Sequence, residues 1–106
     1  MREVIESDWK YFRKHLESWR ERYISQVNKK LEKILSDEKL SETEKFWKLK
    51  ENCDKNAVAL RESFDDLSRS RMILRLQFML QHNIITSEDL QGFQDEYLRT
   101  IGKSQE

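Results

Sequence analysis

The chain has very few of the residues that usually interrupt helices. Its 106 residues include no proline and two glycines. Because proline and glycine are the strongest signals for turns and helix ends, their scarcity favours long helices over a fold rich in loops. It also leaves no stretch with the composition of a flexible linker. We therefore expect a single all-α domain over residues 1–106.

Cysteine and long apolar runs are scarce too. Cys53 is the only cysteine, so it has no partner for an internal disulfide, which fits a reducing compartment. No apolar run approaches the roughly 18 residues of a membrane span, and the N-terminal residues lack the apolar stretch of a signal peptide. These absences predict a cytoplasmic protein without a membrane partner.

Side chains that carry chemistry are few and widely separated. His15 and His82 are the only histidines, and neither lies in an ExxH or HxxxH spacing that would place two metal ligands on one helix face. No glycine-rich elbow or strand scaffold is present to support a serine or cysteine nucleophile. We therefore expect no catalytic residues, no metal and no cofactor, and a protein that is not an enzyme.

Charged residues are abundant in this chain. Charged residues make up 38% of it, but twenty basic and twenty acidic side chains cancel. The net field therefore gives no general reason to expect an anionic partner. Such a composition leans toward disorder unless the apolar residues are regularly spaced, and here they are.

Apolar residues recur in steps of three and four from Ile5 to Leu35, which predicts a first helix over about 7–35 with Ser7 as a possible N-cap. Ser41 and Glu44 then match a capping box, so a second helix is expected over about 42–82. Whether this helix is continuous through residues 65–70 stays open.

A third, short helix is predicted over about 87–101. Thr86 is its expected N-cap, with Asp89 three residues on, and Gly102 suits a left-handed C-cap. Short connections favour antiparallel neighbours, so the first two helices should form a long hairpin that the third closes into a three-helix bundle at one end.

The other end of the hairpin carries more apolar surface than two helices can cover. This surplus predicts association, either with a second copy into a larger helical bundle or coiled coil, or with a helical partner protein. Self-association is the simpler solution because homodimers are the commonest oligomers. The predicted partner-binding residues are Leu31, Ile34, Leu35, Leu40, Phe46, Trp47 and Leu49.

A charged residue occupies an apolar position in the second helix. Following the heptad from Phe64 places Arg71 in the seam, where the register offers Asp8 as an ion-pair partner and Trp9 as a cation–π partner. Arg75 lies one turn further, so an anion could bind between the two arginines. A structural, register-fixing role is the favoured interpretation.

The sequence thus predicts a protein–protein interaction module of unknown biological process. The alternative function is a nucleic-acid-associated accessory protein, which would bind phosphates through two basic clusters. Acidic residues lie among most of these basic side chains, which argues for a solvated helix face instead. The two clusters are Arg69, Arg71 and Arg75, and Lys29, Lys30 and Lys33.

Overall fold

The computed structural model describes residues 3–105, and this part of the chain is helical with no strand, as the sequence predicts. The α-helices are α1 (Glu6–Leu35), α2 (Glu42–Phe64), α3 (Met72–Gln81) and α4 (Glu96–Thr100). Short 3₁₀ segments span Arg69–Arg71, Ser87–Gly92 and Ile101–Gln105.

Helix α1 begins and ends within a residue of its predicted bounds, but its N-cap differs. Ile5, in an extended conformation, holds the N-cap position without a side-chain hydrogen bond, and Ser7 lies inside the first turn. The expected serine cap is therefore wrong. Glu6 and Asp8 place negative charge at the positive end of the helix dipole, which stabilises the helix start electrostatically.

The start of α2 has the predicted capping box. The Ser41 hydroxyl accepts the Glu44 N–H at 3.1 Å, and the Glu44 carboxylate accepts the Ser41 N–H at 3.0 Å. That backbone hydrogen bond from Ser41 is the main reason why the pKa of Glu44 lies below its usual value. The reciprocal bonds satisfy two donors at the helix end and fix the point where the chain reverses.

The second helix is not continuous. It ends at Phe64, Asp66 adopts a left-handed conformation with φ of 47°, and helical structure resumes at Arg69 before α3. Aspartate tolerates this conformation better than most residues. In an unbroken helix Glu62 and His82 would lie about 30 Å apart, yet their side chains are 2.9 Å apart. Helix α3 therefore folds back along α2.

The predicted third helix is also interrupted. A 3₁₀ segment ends at Gly92, extended backbone follows, and α4 covers only Glu96–Thr100. Thr86 does start the first piece, and its N–H donates to the Asp89 carboxylate at 2.9 Å. The expectation for Gly102 is wrong because it has no positive φ. Gly102 is needed instead for its small size, because a Cβ at this position would lie 2.9 Å from the Ser87 Cα.

Buried apolar side chains lie at one end of an elongated molecule measuring 52 × 24 × 22 Å. We call this the closed end; it is built from the first part of α1, the end of α2, α3 and the C-terminal segment. The stretch 24–58 contains no buried residue and forms the open end. The core residues are Val4, Phe12, Trp19, Tyr23, Ala59, Met72, Leu76, Met79, Leu80, Ile84, Ile85, Leu90, Phe93 and Leu98.

Candidate functional site

Three large apolar side chains are exposed where α1 ends and α2 begins. Leu35 is 55% exposed, and Phe46 and Trp47 are each 58% exposed. We call these three residues the apolar tip. The other predicted partner-binding residues are half-buried around it, namely Leu31, Ile34, Leu40 and Leu49.

The two aromatic rings of the apolar tip pack on each other. Their centroids are 5.0 Å apart and the rings meet edge to face. Successive residues on a helix point about 100° apart, so α1 cannot cover both side chains at once. A seam between α1 and α2 can therefore bury one of the two rings, and the other must point away from it. Phe46 is nevertheless as exposed as Trp47, and within residues 3–105 no third element covers the two helices at this end.

Charges of both signs surround the apolar tip. Residues 28–55 carry eight lysines and seven acidic residues. Two pairs form within α2, Lys45 with Glu42 at 3.2 Å and Lys50 with Asp54 at 2.7 Å. Exposed pairs of this kind contribute at most about 1 kcal/mol, so they remain available for exchange with a partner. The tip therefore has an apolar centre and a polar rim, the usual organisation of a protein interface.

The residues predicted to form an ion-pair or anion site do not come together. Asp8 is fully buried, and its carboxylate accepts the N–H groups of Gln94 at 2.7 Å and Asp95 at 3.1 Å. Arg71 is exposed, with its Nε 3.6 Å from the Asp66 carboxylate. The predicted Asp8–Arg71 pair is wrong because the break at Asp66 removes Arg71 from the seam.

The cation–π partner of Trp9 also differs from the prediction. Arg13, one turn further along α1, lies over the Trp9 ring at 5.9 Å from its centroid. A pair four residues apart on one helix needs no long-range register. Arg71 is therefore not required to explain the position of this tryptophan.

Two other arginines of the basic cluster bind backbone carbonyls. Arg75 donates to the Glu62 carbonyl at 2.7 Å and the Asp66 carbonyl at 3.3 Å, and so satisfies acceptors at the C-terminal end of α2. Arg69 binds the Val4 carbonyl and also the Glu6 carboxylate at 2.6 Å. A phosphate group would have to compete with these internal contacts for either guanidinium.

A second polar network, which sequence reasoning missed, joins α1 to the C-terminal segment. Arg22 binds both carboxylate oxygens of Asp89, at 3.1 and 2.6 Å, and donates to the Ile84 carbonyl. Tyr11 donates its hydroxyl to the Asp89 carbonyl at 2.8 Å. Arg22 and Asp89 are separated by 67 residues, and no local pattern links them, so the sequence carries no signal for the pair.

The environment of Asp89 lowers its pKa. Partial burial alone would raise it, but the hydrogen bonds from Arg22 and from the Thr86 N–H together outweigh burial. A carboxylate with a lowered folded-state pKa stabilises the fold above its unfolded pKa, which is about 3.9. That contribution is lost as the pH falls from about 4 through the folded-state pKa.

We expect Asp89→Asn to remove this pH dependence. The free energy of unfolding, measured by urea denaturation from neutral pH down to about pH 2.5, should fall less steeply below about pH 4 in the variant than in the wild type. Asp54→Asn is the matched control, because Asp54 is an exposed carboxylate that pairs only on the surface. Parallel curves for the wild type and Asp89→Asn would contradict the prediction.

Among residues 3–105, no group of three metal-ligating side chains is present. Over the same described range, no helix combines the length and apolar character that a bilayer crossing requires. No family model, curated protein or solved structure matches this chain. The geometry of the chain is therefore the basis for assigning its function.

Proposed function

We propose that the protein is a non-enzymatic interaction module that forms a homodimer through its apolar tip. In this proposal the open ends of two copies pack into a larger helical bundle, while the C-terminal segment closes the helical hairpin of each copy at its other end. The observation that carries the proposal is the exposure of Leu35, Phe46 and Trp47 on a stretch with no buried residue.

The exposed area is large enough to drive association that depends on concentration. Phe46 and Trp47, each 58% exposed, would together remove roughly 500 Å² from water when two copies meet. At about 25 cal/mol per Å², this gain is similar in size to the roughly 4–15 kcal/mol cost of association. The flanking half-buried leucines and the aliphatic stems of the lysines add area to the interface.

The charges around the apolar tip favour a second copy as the partner. Residues 28–55 carry nearly equal numbers of basic and acidic side chains, interspersed along both helices. In a two-fold symmetric contact each surface meets itself, so a mixed surface can pair opposite charges whereas a strongly biased one would repel. A partner of opposite net charge, including a nucleic acid, would gain little from this surface.

Light scattering across a concentration series tests the proposal. The wild type should approach the dimer mass as concentration rises, and Phe46→Asp combined with Trp47→Asp should remain a monomer at every concentration. Two carboxylates from each copy would be buried without partners at the centre of the contact, which is costly. The control is Leu74→Asp, at an exposed apolar position on α3 at the closed end, and it should dimerise like the wild type.

Two results would overturn the proposal. One is a wild-type monomer over the whole concentration series. The other is a dimer that dissociates with Leu74→Asp and survives the double substitution at Phe46 and Trp47, which would place the contact at the closed end. Circular dichroism of each variant shows whether the helices remain folded, so that loss of folding is not mistaken for loss of association.

A further inference from the structure

A cleft of about 350 Å³ lies where the end of α3 meets α1 and α2. It is separate from the apolar tip and borders the boundary between the closed and open ends. Polar side chains from all three elements line it, chiefly Gln26 and Lys30 from α1, Lys55 and Asn56 from α2, and His82 and Asn83 after α3. This volume lies near the lower limit for ligand-binding pockets, so the ligand should be small. The polar lining indicates that the ligand should be polar as well.

The inner wall of the cleft is neutral and held in place by hydrogen bonds. The buried Tyr23 donates its hydroxyl to the Asn56 side-chain oxygen at 2.9 Å. The Asn56 amide nitrogen in turn donates to the Asn52 carbonyl at 2.7 Å. The phenol of Tyr23 is uncharged at neutral pH, and burial raises its pKa further above the ordinary value of about 10. Ala59 contributes only a methyl group to this wall, which leaves the interior open.

The lining of the cleft carries a net positive charge, because two helices each contribute one lysine. Lys30 lies on α1 and Lys55 on α2, and none of the described residues that line the cleft is acidic. Neither lysine forms an ion pair within the described part of the chain, although Glu51 lies four residues before Lys55. The nearby carboxylate of Glu62 is held by His82 at 2.9 Å.

We propose that this cleft binds a small anion with two negative charges, such as the phosphate or dicarboxylate group of a metabolite. The ammonium groups of Lys30 and Lys55 would neutralise the charge from two sides, which relieves their mutual repulsion. The side-chain amides of Gln26 and Asn83 supply neutral donors for the remaining oxygens. A carboxylate or phosphate oxygen accepts several such bonds, and bonds between charged partners are the stronger kind.

Amide resonances measured by NMR report binding directly. Inorganic phosphate and malonate would be titrated separately against the full chain, with sodium chloride at matched ionic strength as the reference. We expect saturable shifts centred on residues 26–30, 55–59 and 81–83. The titrations use the wild-type chain and are repeated with the Phe46→Asp, Trp47→Asp variant, so that shifts seen in both do not depend on dimerisation.

Charge removal identifies the binding groups. Lys30→Gln and Lys55→Gln should each weaken binding about tenfold, the effect of losing one charged hydrogen-bond donor. Lys29→Gln is the matched control, because Lys29 neighbours Lys30 on α1 and does not line the cleft. It should change the affinity less than about twofold, as expected for a screened surface charge.

Each result of the titrations either supports or overturns anion binding in the cleft. Saturation by phosphate alone supports recognition of a phosphoryl group, and saturation by both anions supports recognition of two negative charges in general. The proposal is overturned if neither anion saturates the shifts below concentrations on the order of 50 mM, which corresponds to negligible affinity. It is also overturned if Lys29→Gln weakens binding as much as Lys30→Gln does, because the effect would then reflect surface charge alone.

Discussion

Replacing Asp8 with alanine should lower the free energy of unfolding by about 3 kcal/mol. Its buried carboxylate accepts the N–H groups of Gln94 and Asp95, and alanine would leave both donors unsatisfied. These bonds join α1 to the extended backbone before α4, over a sequence separation of more than 80 residues. The substitution should therefore loosen the C-terminal segment more than the open end.

Urea denaturation followed by circular dichroism measures the loss of stability, and hydrogen exchange shows where it occurs. Faster exchange in residues 93–101, with little change in α2, is the expected pattern. Asp54→Ala is the control, because it removes an exposed carboxylate and should cost less than about 1 kcal/mol. A change of similar size in both variants would contradict the structural role assigned to Asp8.

Local sequence patterns correctly predicted those elements whose determinants lie close together in the chain. The bounds of α1 follow from its own apolar period, and the start of α2 follows from the reciprocal bonds of Ser41 and Glu44. Both signals operate within a few residues and need no knowledge of tertiary structure.

The break after Phe64 could not be predicted because its benefit is tertiary. No proline or glycine marks it, and the positive φ of Asp66 is uncommon for a residue other than glycine. The break lets α3 turn back and bury Leu76 and Met79 completely. Burying a large apolar side chain yields about 1.5–3 kcal/mol, more than a single left-handed aspartate costs. The register assumed for an unbroken helix therefore paired Asp8 with the wrong residue.

The candidate sites differ in how much of each the sequence reveals. The apolar tip lies within one turn and its flanking helices, so an excess of apolar residues over available partners was visible in the sequence. The cleft instead combines three elements, and only the fold brings Lys30, Lys55 and Asn83 to one place. In the sequence Lys30 belongs to a basic cluster with Lys29 and Lys33, and a linear pattern does not show which of the three lines the cleft.

Replacing phenylalanine with alanine should affect stability very differently at the two ends of the molecule. Phe12 is fully buried at the closed end, with its ring near those of Trp9 and Trp19, so Phe12→Ala should cost about 3–5 kcal/mol. Phe46 is mostly exposed at the open end. In the monomer, Phe46→Ala removes little buried surface and should change stability by less than about 0.5 kcal/mol.

Protein concentration distinguishes the two roles. Urea denaturation of both variants and the wild type, repeated from low micromolar to several hundred micromolar protein, should give a constant loss for Phe12→Ala. The loss for Phe46→Ala should grow with concentration, because a dimer interface stabilises the folded state only by mass action.

A loss for Phe46→Ala that is large at every concentration would mean that Phe46 belongs to the monomer's core. No loss even at the highest concentration would mean that the tip makes no contact between copies. The concentration dependence therefore tests whether the stability of the fold resides at the closed end and its capacity for association at the open end.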